Sequence, residues 1–229
     1  LYSRHHHRNV AAILESLDGD ILAEHQCYFG GGTAIVLRRG EYRESVDIDF
    51  LVSDTDGYRG LRELLTGPDG LNSIARSDLH VVRDVRADQY GIRTAISAGG
   101  STVKFEIIHE GRISLELPAP GDFVCGVYTL SFTDMATSKL LANADRWADS
   151  SVHYRDVIDL AMLQAPREMF DSAVGKAERA YGSSVIGCLA SVIEFLEANP
   201  DKLVRAISAL KMSVSYDDLW PLIVSLRPG

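Results

Sequence analysis

Asp47 and Asp49 stand two residues apart inside the stretch FGGGTAIVLRRGEYRESVDIDFLV, residues 29–52, and this is where the chain could do chemistry. Alternate side chains of a strand share a face, so the spacing predicts both carboxylates on one side and Ile48 and Phe50 on the other. Two carboxylates roughly 7 Å apart on one strand repel each other unless a cation sits with them. Mg2+ suits such a pair, because this hard ion is held by one or two carboxylates together with substrate phosphates. Upstream, the run of glycines at 30–32 lets the backbone approach a ligand closely. A helix starting near Thr33 would aim free N–H groups at a phosphate.

Either feature alone is common, since glycine runs often make simple turns and Asp-x-Asp pairs often sit on solvated strand edges. Their order and spacing are more specific. Gly31-Gly32-Thr33 followed by Asp47-Ile48-Asp49-Phe50 resembles the first motif of the nucleotidyltransferase superfamily. With Arg43 and Ser45 in the linker it resembles most the AbiEii/AbiGii-type nucleotidyltransferase toxins, which include the MenT-like toxins of type IV toxin–antitoxin systems. A second pattern, SKLLANADRW followed by HYRDVIDLAML, resembles the second signature of that family, in which a lysine and an aspartate on successive helices complete the active site. Carried over by position, the lysine is Lys139 and the aspartate Asp156, with Asp159 the second choice. Thr33 replaces the more frequent serine and keeps its hydroxyl.

The resemblance implies transfer of a nucleoside monophosphate from an NTP to an acceptor hydroxyl, with the 3′ end of tRNA as acceptor and a cognate antitoxin as partner. Asp47 and Asp49 would bind Mg2+, Gly31, Gly32, Thr33, Arg43 and Ser45 would hold the nucleotide, and Lys139 and Asp156 would act in catalysis. Two rivals stay open: a small-molecule nucleotidyltransferase of the aminoglycoside-modifying kind, and a catalytically silent nucleotidyltransferase fold used as a binding module.

The elements that must position these residues are legible to differing degrees. Val10, Ile13, Leu14, Leu17 and Ile21 recur at helical spacing, which predicts a packing helix from Asn9, as N-cap, to about His25, weakened at Gly19. The preceding LYSRHHHR reads as a solvated arm or an added tag rather than a metal site, because consecutive histidines diverge. A helix is expected over 57–65, then strands over 79–85, 90–97 and 102–108, the last two joined at Gly99-Gly100 in an antiparallel extension of the sheet. In the third strand Val103, Phe105 and Ile107 share one face, leaving Lys104 and Glu106 on the other, so Glu106 is the candidate third carboxylate beside Asp47 and Asp49. After Ser131 the chain reads as helices over 133–144, 152–163, 168–181, 184–198, 201–210 and 216–226, punctuated by Gly182 and Pro200. Together these predict an α/β chain: a nucleotidyltransferase-like mixed sheet core over 1–130, and a helical region over 131–229 that completes the active site and offers a substrate or partner surface.

Composition narrows the partners. A net charge of −9 excludes a general nucleic-acid coat, because phosphate affinity comes from Lys and Arg, so an RNA acceptor requires a confined basic patch. Arg38, Arg39 and Arg43 are the candidates, held by the motif turn. Cys27, Cys125 and Cys188 show no metal spacing and no even count, which points to a reduced, cytoplasmic setting. No apolar run reaches a membrane span and no signal peptide is expected.

Overall fold

The structure, a computed structural model, describes residues 2–227; Leu1 of the basic opening stretch and the last two residues of the helical region lie outside it. The chain is mixed α/β and divides into two units, one of Leu1–Arg38 with Ser45–Ser131, the other of Arg39–Glu44 with Phe132–Gly229.

The first unit is built on a five-stranded sheet of β1 (Cys27–Phe29), β2 (Ile48–Val52), β3 (Val81–Ala87), β4 (Gly91–Ala98) and β5 (Ser101–His109) in the order β1-β2-β5-β4-β3. The expected antiparallel extension is present as β3-β4-β5, with Gly99 and Gly100 both at positive φ in the β4–β5 turn. What alternation alone could not show is that β5 returns to lie parallel to β2. The β2–β5 register sets Ile48 opposite Phe105, Asp49 opposite Glu106 and Phe50 opposite Ile107. One face is therefore apolar, and Phe29, Phe50 and Phe105, all fully buried, stack across it with ring centroids 5.6 and 5.7 Å apart. The other face carries the carboxylates.

Helices α1 (His5–Ser16), α2 (Gly19–Glu24), α3 (Gly31–Arg38) and α4 (Thr55–Leu65) complete this unit. Two expectations change here. The predicted helix over 9–25 is two helices, because Asp18 turns the chain and caps α2 by accepting from the N–H groups of Asp20 and Ile21. Gly19 lies so close to the backbone of Gly126 that a Cβ would fall 2.2 Å from its carbonyl oxygen. Within the stretch expected as a solvated arm, His5–Arg8 form the first turn of α1, which starts at His5 rather than after an Asn9 cap. His7 and Asn9 are buried in it.

The second unit is helical: α5 (Phe132–Arg146), α6 (Arg155–Leu163), α7 (Arg167–Tyr181), α8 (Ser184–Ala198), α9 (Pro200–Ala209) and α10 (Tyr216–Val224). Met135, Ala136, Leu140 and Leu141 form the buried stripe of α5, which packs on α6, α7 and α8. Segment Arg39–Glu44, which precedes β2 in sequence, belongs to this unit. The Glu44 N–H donates to Leu210 O at 3.0 Å and the Ser213 N–H to Tyr42 O at 2.8 Å, fastening it to the end of α9. Among the described residues no single helix is long and apolar enough to cross a membrane.

Candidate active site

In the first unit, the turn from β1 into α3 brings glycine backbone against a motif carboxylate. Gly31 has φ +67°, a left-handed conformation that favours glycine. A Cβ there would stand 2.6 Å from Asp49 Oδ2, so any side chain would collide with the carboxylate. The Gly30 N–H donates to Asp49 O at 2.8 Å, which fixes the turn to β2. The first N–H groups of α3 are left without intrahelical partners by helix geometry. A helix start with bare backbone and a carboxylate thus adjoin within this unit.

Asp47 is exposed and Asp49 half-buried. Glu106 lies directly opposite Asp49 on the same sheet face, as its strand position predicted. Its carboxylate is engaged, accepting from Lys104 Nζ at 2.8 Å and ion-paired with Arg93 Nε at 3.2 Å. Among the described residues no three His, Cys, Asp or Glu side chains converge as a preformed metal cage. Asp47 and Asp49 are hard oxygen donors of the kind that suits Mg2+, which takes further ligands from phosphate and water. Asp47 stands just before β2 rather than within it, so the shared strand face expected from their spacing is not formed by β2 itself.

Thr33 and Ser45 meet, but differently from a nucleotide-facing pair. The Thr33 hydroxyl is buried and shares a 2.8 Å hydrogen bond with Ser45 Oγ, so Thr33 offers a ligand its backbone rather than its side chain. The Ser45 N–H donates to Nε2 of buried His7 at 3.2 Å, which requires the proton on Nδ1. Sequence reasoning missed His7, and its helical register with Val10 and Leu14 was the available signal.

In the second unit side chains of the second signature form a buried ion network. Asp159, fully buried, accepts from Tyr42 Oη at 2.6 Å and from Arg43 Nε and Nη2 at 2.7 and 2.8 Å, and pairs with Lys139 Nζ at 2.6 Å. Lys139 also donates to Asp156 Oδ1 at 3.1 Å, and Asp156 takes a two-pronged Arg146 at 2.7 and 3.0 Å. Burial alone would raise both aspartates, but the cations outweigh it: Arg43 and Lys139 hold Asp159 far below the usual carboxylate range, and Lys139 and Arg146 lower Asp156. Three cations face Asp156 and Asp159, with Asp145 also acting on Arg146. Lys139 is buried rather than solvent-facing, and Asp156 and Asp159 are both its partners. Tyr42 and Arg146 are further members that motif reading did not pick out.

The expected basic patch does not form at the motif turn. The Arg43 guanidinium is buried on Asp159. Arg38, also largely buried, donates to Asp122 Oδ1 at 3.0 Å, Thr129 Oγ1 at 2.7 Å and Gly121 O at 3.1 Å, clasping the loop around β6 (Phe123–Val124) and β7 (Val127–Tyr128). Arg39 stacks over the Phe132 ring, 4.9 Å from its centroid. Both arginines with buried heads found carboxylates distant in sequence, which composition cannot reveal.

A family model described as nucleotidyl transferase AbiEii toxin, type IV TA system, matches residues 13–217. A crystal structure described as a nucleotidyltransferase from H. pylori superposes with a TM-score of 0.50 at 16% identity, covering 97% of this chain and 93% of that one, and shows the fold. No curated protein matches.

Proposed function

Since the chain belongs to the AbiEii nucleotidyl transferase toxin family, we propose that it transfers a nucleoside monophosphate from a Mg2+-bound NTP to the 3′ hydroxyl of an RNA, with tRNA the acceptor that the family suggests. The acceptor oxygen bonds to the α-phosphorus, the bridge to the β-phosphate breaks, pyrophosphate leaves, and the hydroxyl loses its proton. Asp47 and Asp49 would hold the Mg2+, which would supply positive charge to the phosphates and stabilise the charge that develops on them. The N–H groups at the start of α3 receive phosphate oxygens. Lys139 and Asp156 are the lysine and aspartate of the second signature, and Asp156 orients the Lys139 ammonium. Arg43 and Ser45 act as positioning residues, Arg43 through Asp159 and Ser45 through Thr33. A cognate antitoxin is the protein partner.

The observation that carries this reading is the left-handed glycine at the mouth of α3, pressed against the Asp49 carboxylate. It is a backbone cradle beside a metal-type acid, and packing of the apolar core does not call for it. The test is incubation of the protein with each α-labelled NTP, Mg2+ and total cellular RNA. Label should enter discrete RNA bands with one or more NTPs, and chelation of Mg2+ should abolish it. Label appearing only on added small hydroxylated or aminoglycoside-type acceptors would replace RNA with a small molecule, and no transfer to either would overturn the assignment.

A further inference from the structure

The exposed sheet face of the first unit carries a line of side chains that the chemistry above does not use. Cross-strand partners in a sheet share a face, so the registers Asp49–Glu106, Glu106–Arg93 and Arg93–Arg86 place one row straight across β2, β5, β4 and β3. The adjacent row runs Lys104, Ala95, Arg83. Arg83 and Arg86 are three residues apart and would face opposite ways in a regular strand. An irregularity in the β3–β4 pairing between them brings both onto the face of Arg93 and Lys104.

These cations are available. Arg83 and Arg86 are exposed and enter no ion pair among the described residues. Arg93 and Lys104 are about half exposed and share Glu106, with Asp88 also on Arg93. Four cations thus share this face with Asp49 and Glu106, with Asp88 also on Arg93, on a chain of net charge −9. The direct opposition of Arg86 and Arg93 is unfavourable for the sheet itself, since like charges across strands destabilise it. Arg83 and Arg86 add no ion pair to the fold among the described residues, whereas a polyanion gains from both.

We propose that Arg83, Arg86, Arg93 and Lys104 form the track that holds the phosphate backbone of the RNA acceptor as it leads away from Asp49. This rests on the nucleotidyltransfer reading and specifies where its acceptor binds. The row from Asp49 to Arg86 spans three strand spacings, about 14 Å, a length that accepts roughly four stacked nucleotides at 3.4 Å each. Arginine predominates, and its planar fork matches phosphate oxygens. An acceptor strand must leave the reacting centre over some surface, and this one starts in register with the catalytic acid. An acidic protein partner has no need of that alignment.

The experiment measures binding of a short 5′-labelled single-stranded RNA by fluorescence anisotropy across a salt series, alongside Mg2+·NTP affinity and thermal melting. The variant Arg83→Glu/Arg86→Glu should weaken RNA binding about tenfold or more at low salt and flatten the log–log salt slope by about 1.4, two phosphate contacts at about 0.7 each. Mg2+·NTP affinity and melting temperature should stay unchanged. Should the reversal unfold the protein, Arg83→Gln/Arg86→Gln gives the same flattening with a smaller loss. Unaltered RNA affinity and salt slope in a folded variant would overturn the track, as would a wild-type protein that binds no RNA at low salt. So would a variant that keeps RNA but loses an acidic protein partner. If the variant loses RNA binding while the wild type labels no RNA with any NTP, the track stands and nucleotidyl transfer to RNA falls.

Discussion

Asp159 shows how much one side chain can organise. It accepts from Tyr42 and Arg43 and pairs with Lys139, with no exposure to solvent, so it ties the 39–44 segment to α5 and α6. Removing one member of a buried ion pair leaves an uncompensated charge, at a cost of about 3–5 kcal/mol. Asp159→Asn should therefore lower stability by that order in a denaturant titration, far more than Asp171→Asn on exposed α7. The pH dependence follows from the depressed value. Asp159 contributes stability that is fully present above the unfolded carboxylate value of about 3.9, and this is lost as pH falls through the lower folded value. Wild-type stability should hold from neutrality to that range and then drop, and the drop should be shallower in Asp159→Asn. An equal acid slope in both proteins would contradict the network. By the same reasoning Lys139, buried between Asp156 and Asp159, is no ordinary surface lysine, and its replacement should cost stability.

At the scale of elements, the parts legible in the sequence were those set by local pattern. Ser184–Ala198 follows from its spacing and from the breaks at Gly182 and Pro200, and β4 and β5 from alternation around two glycines. The parallel β2–β5 pairing was not legible, because it joins strands more than fifty residues apart through a register that only the apolar triad of Phe29, Phe50 and Phe105 enforces. The Arg43–Asp159 contact spans 116 positions, so the motif arginine read as a solvent-facing nucleotide ligand. The helix start was missed for a different reason: three consecutive histidines suggest an arm, yet only His7 faces inward, where it accepts from Ser45. His7→Ala leaves that N–H without its acceptor, a loss of about 1–3 kcal/mol, or several degrees in melting temperature for a chain of this size. His5→Ala and His6→Ala, both exposed, should change it little. Equal melting of all three would show that α1 does not brace the motif.

On the scale of the whole molecule, a chain of net charge −9 holds its cations in two different ways. Arg43 and Lys139 of the helical unit are buried against aspartates, whereas Arg83, Arg86, Arg93 and Lys104 on the sheet face of the other unit stand exposed. Family membership supplies the reaction class. In the proposed reaction the metal is on Asp47 and Asp49, while Glu106, also expected there, is held by Arg93 and Lys104.

That division is tested most directly by titrating Mg2+·NTP against wild type, Asp49→Asn and Glu106→Gln, with melting curves as the fold control. Asp49→Asn removes a charge that faces a dication and should weaken Mg2+-dependent binding tenfold or more, about 1.4 kcal/mol. Glu106→Gln should leave that affinity within about twofold. Nucleotide affinity unchanged in a folded Asp49→Asn, or lost equally in Glu106→Gln, would contradict the assignment of the metal to Asp47 and Asp49.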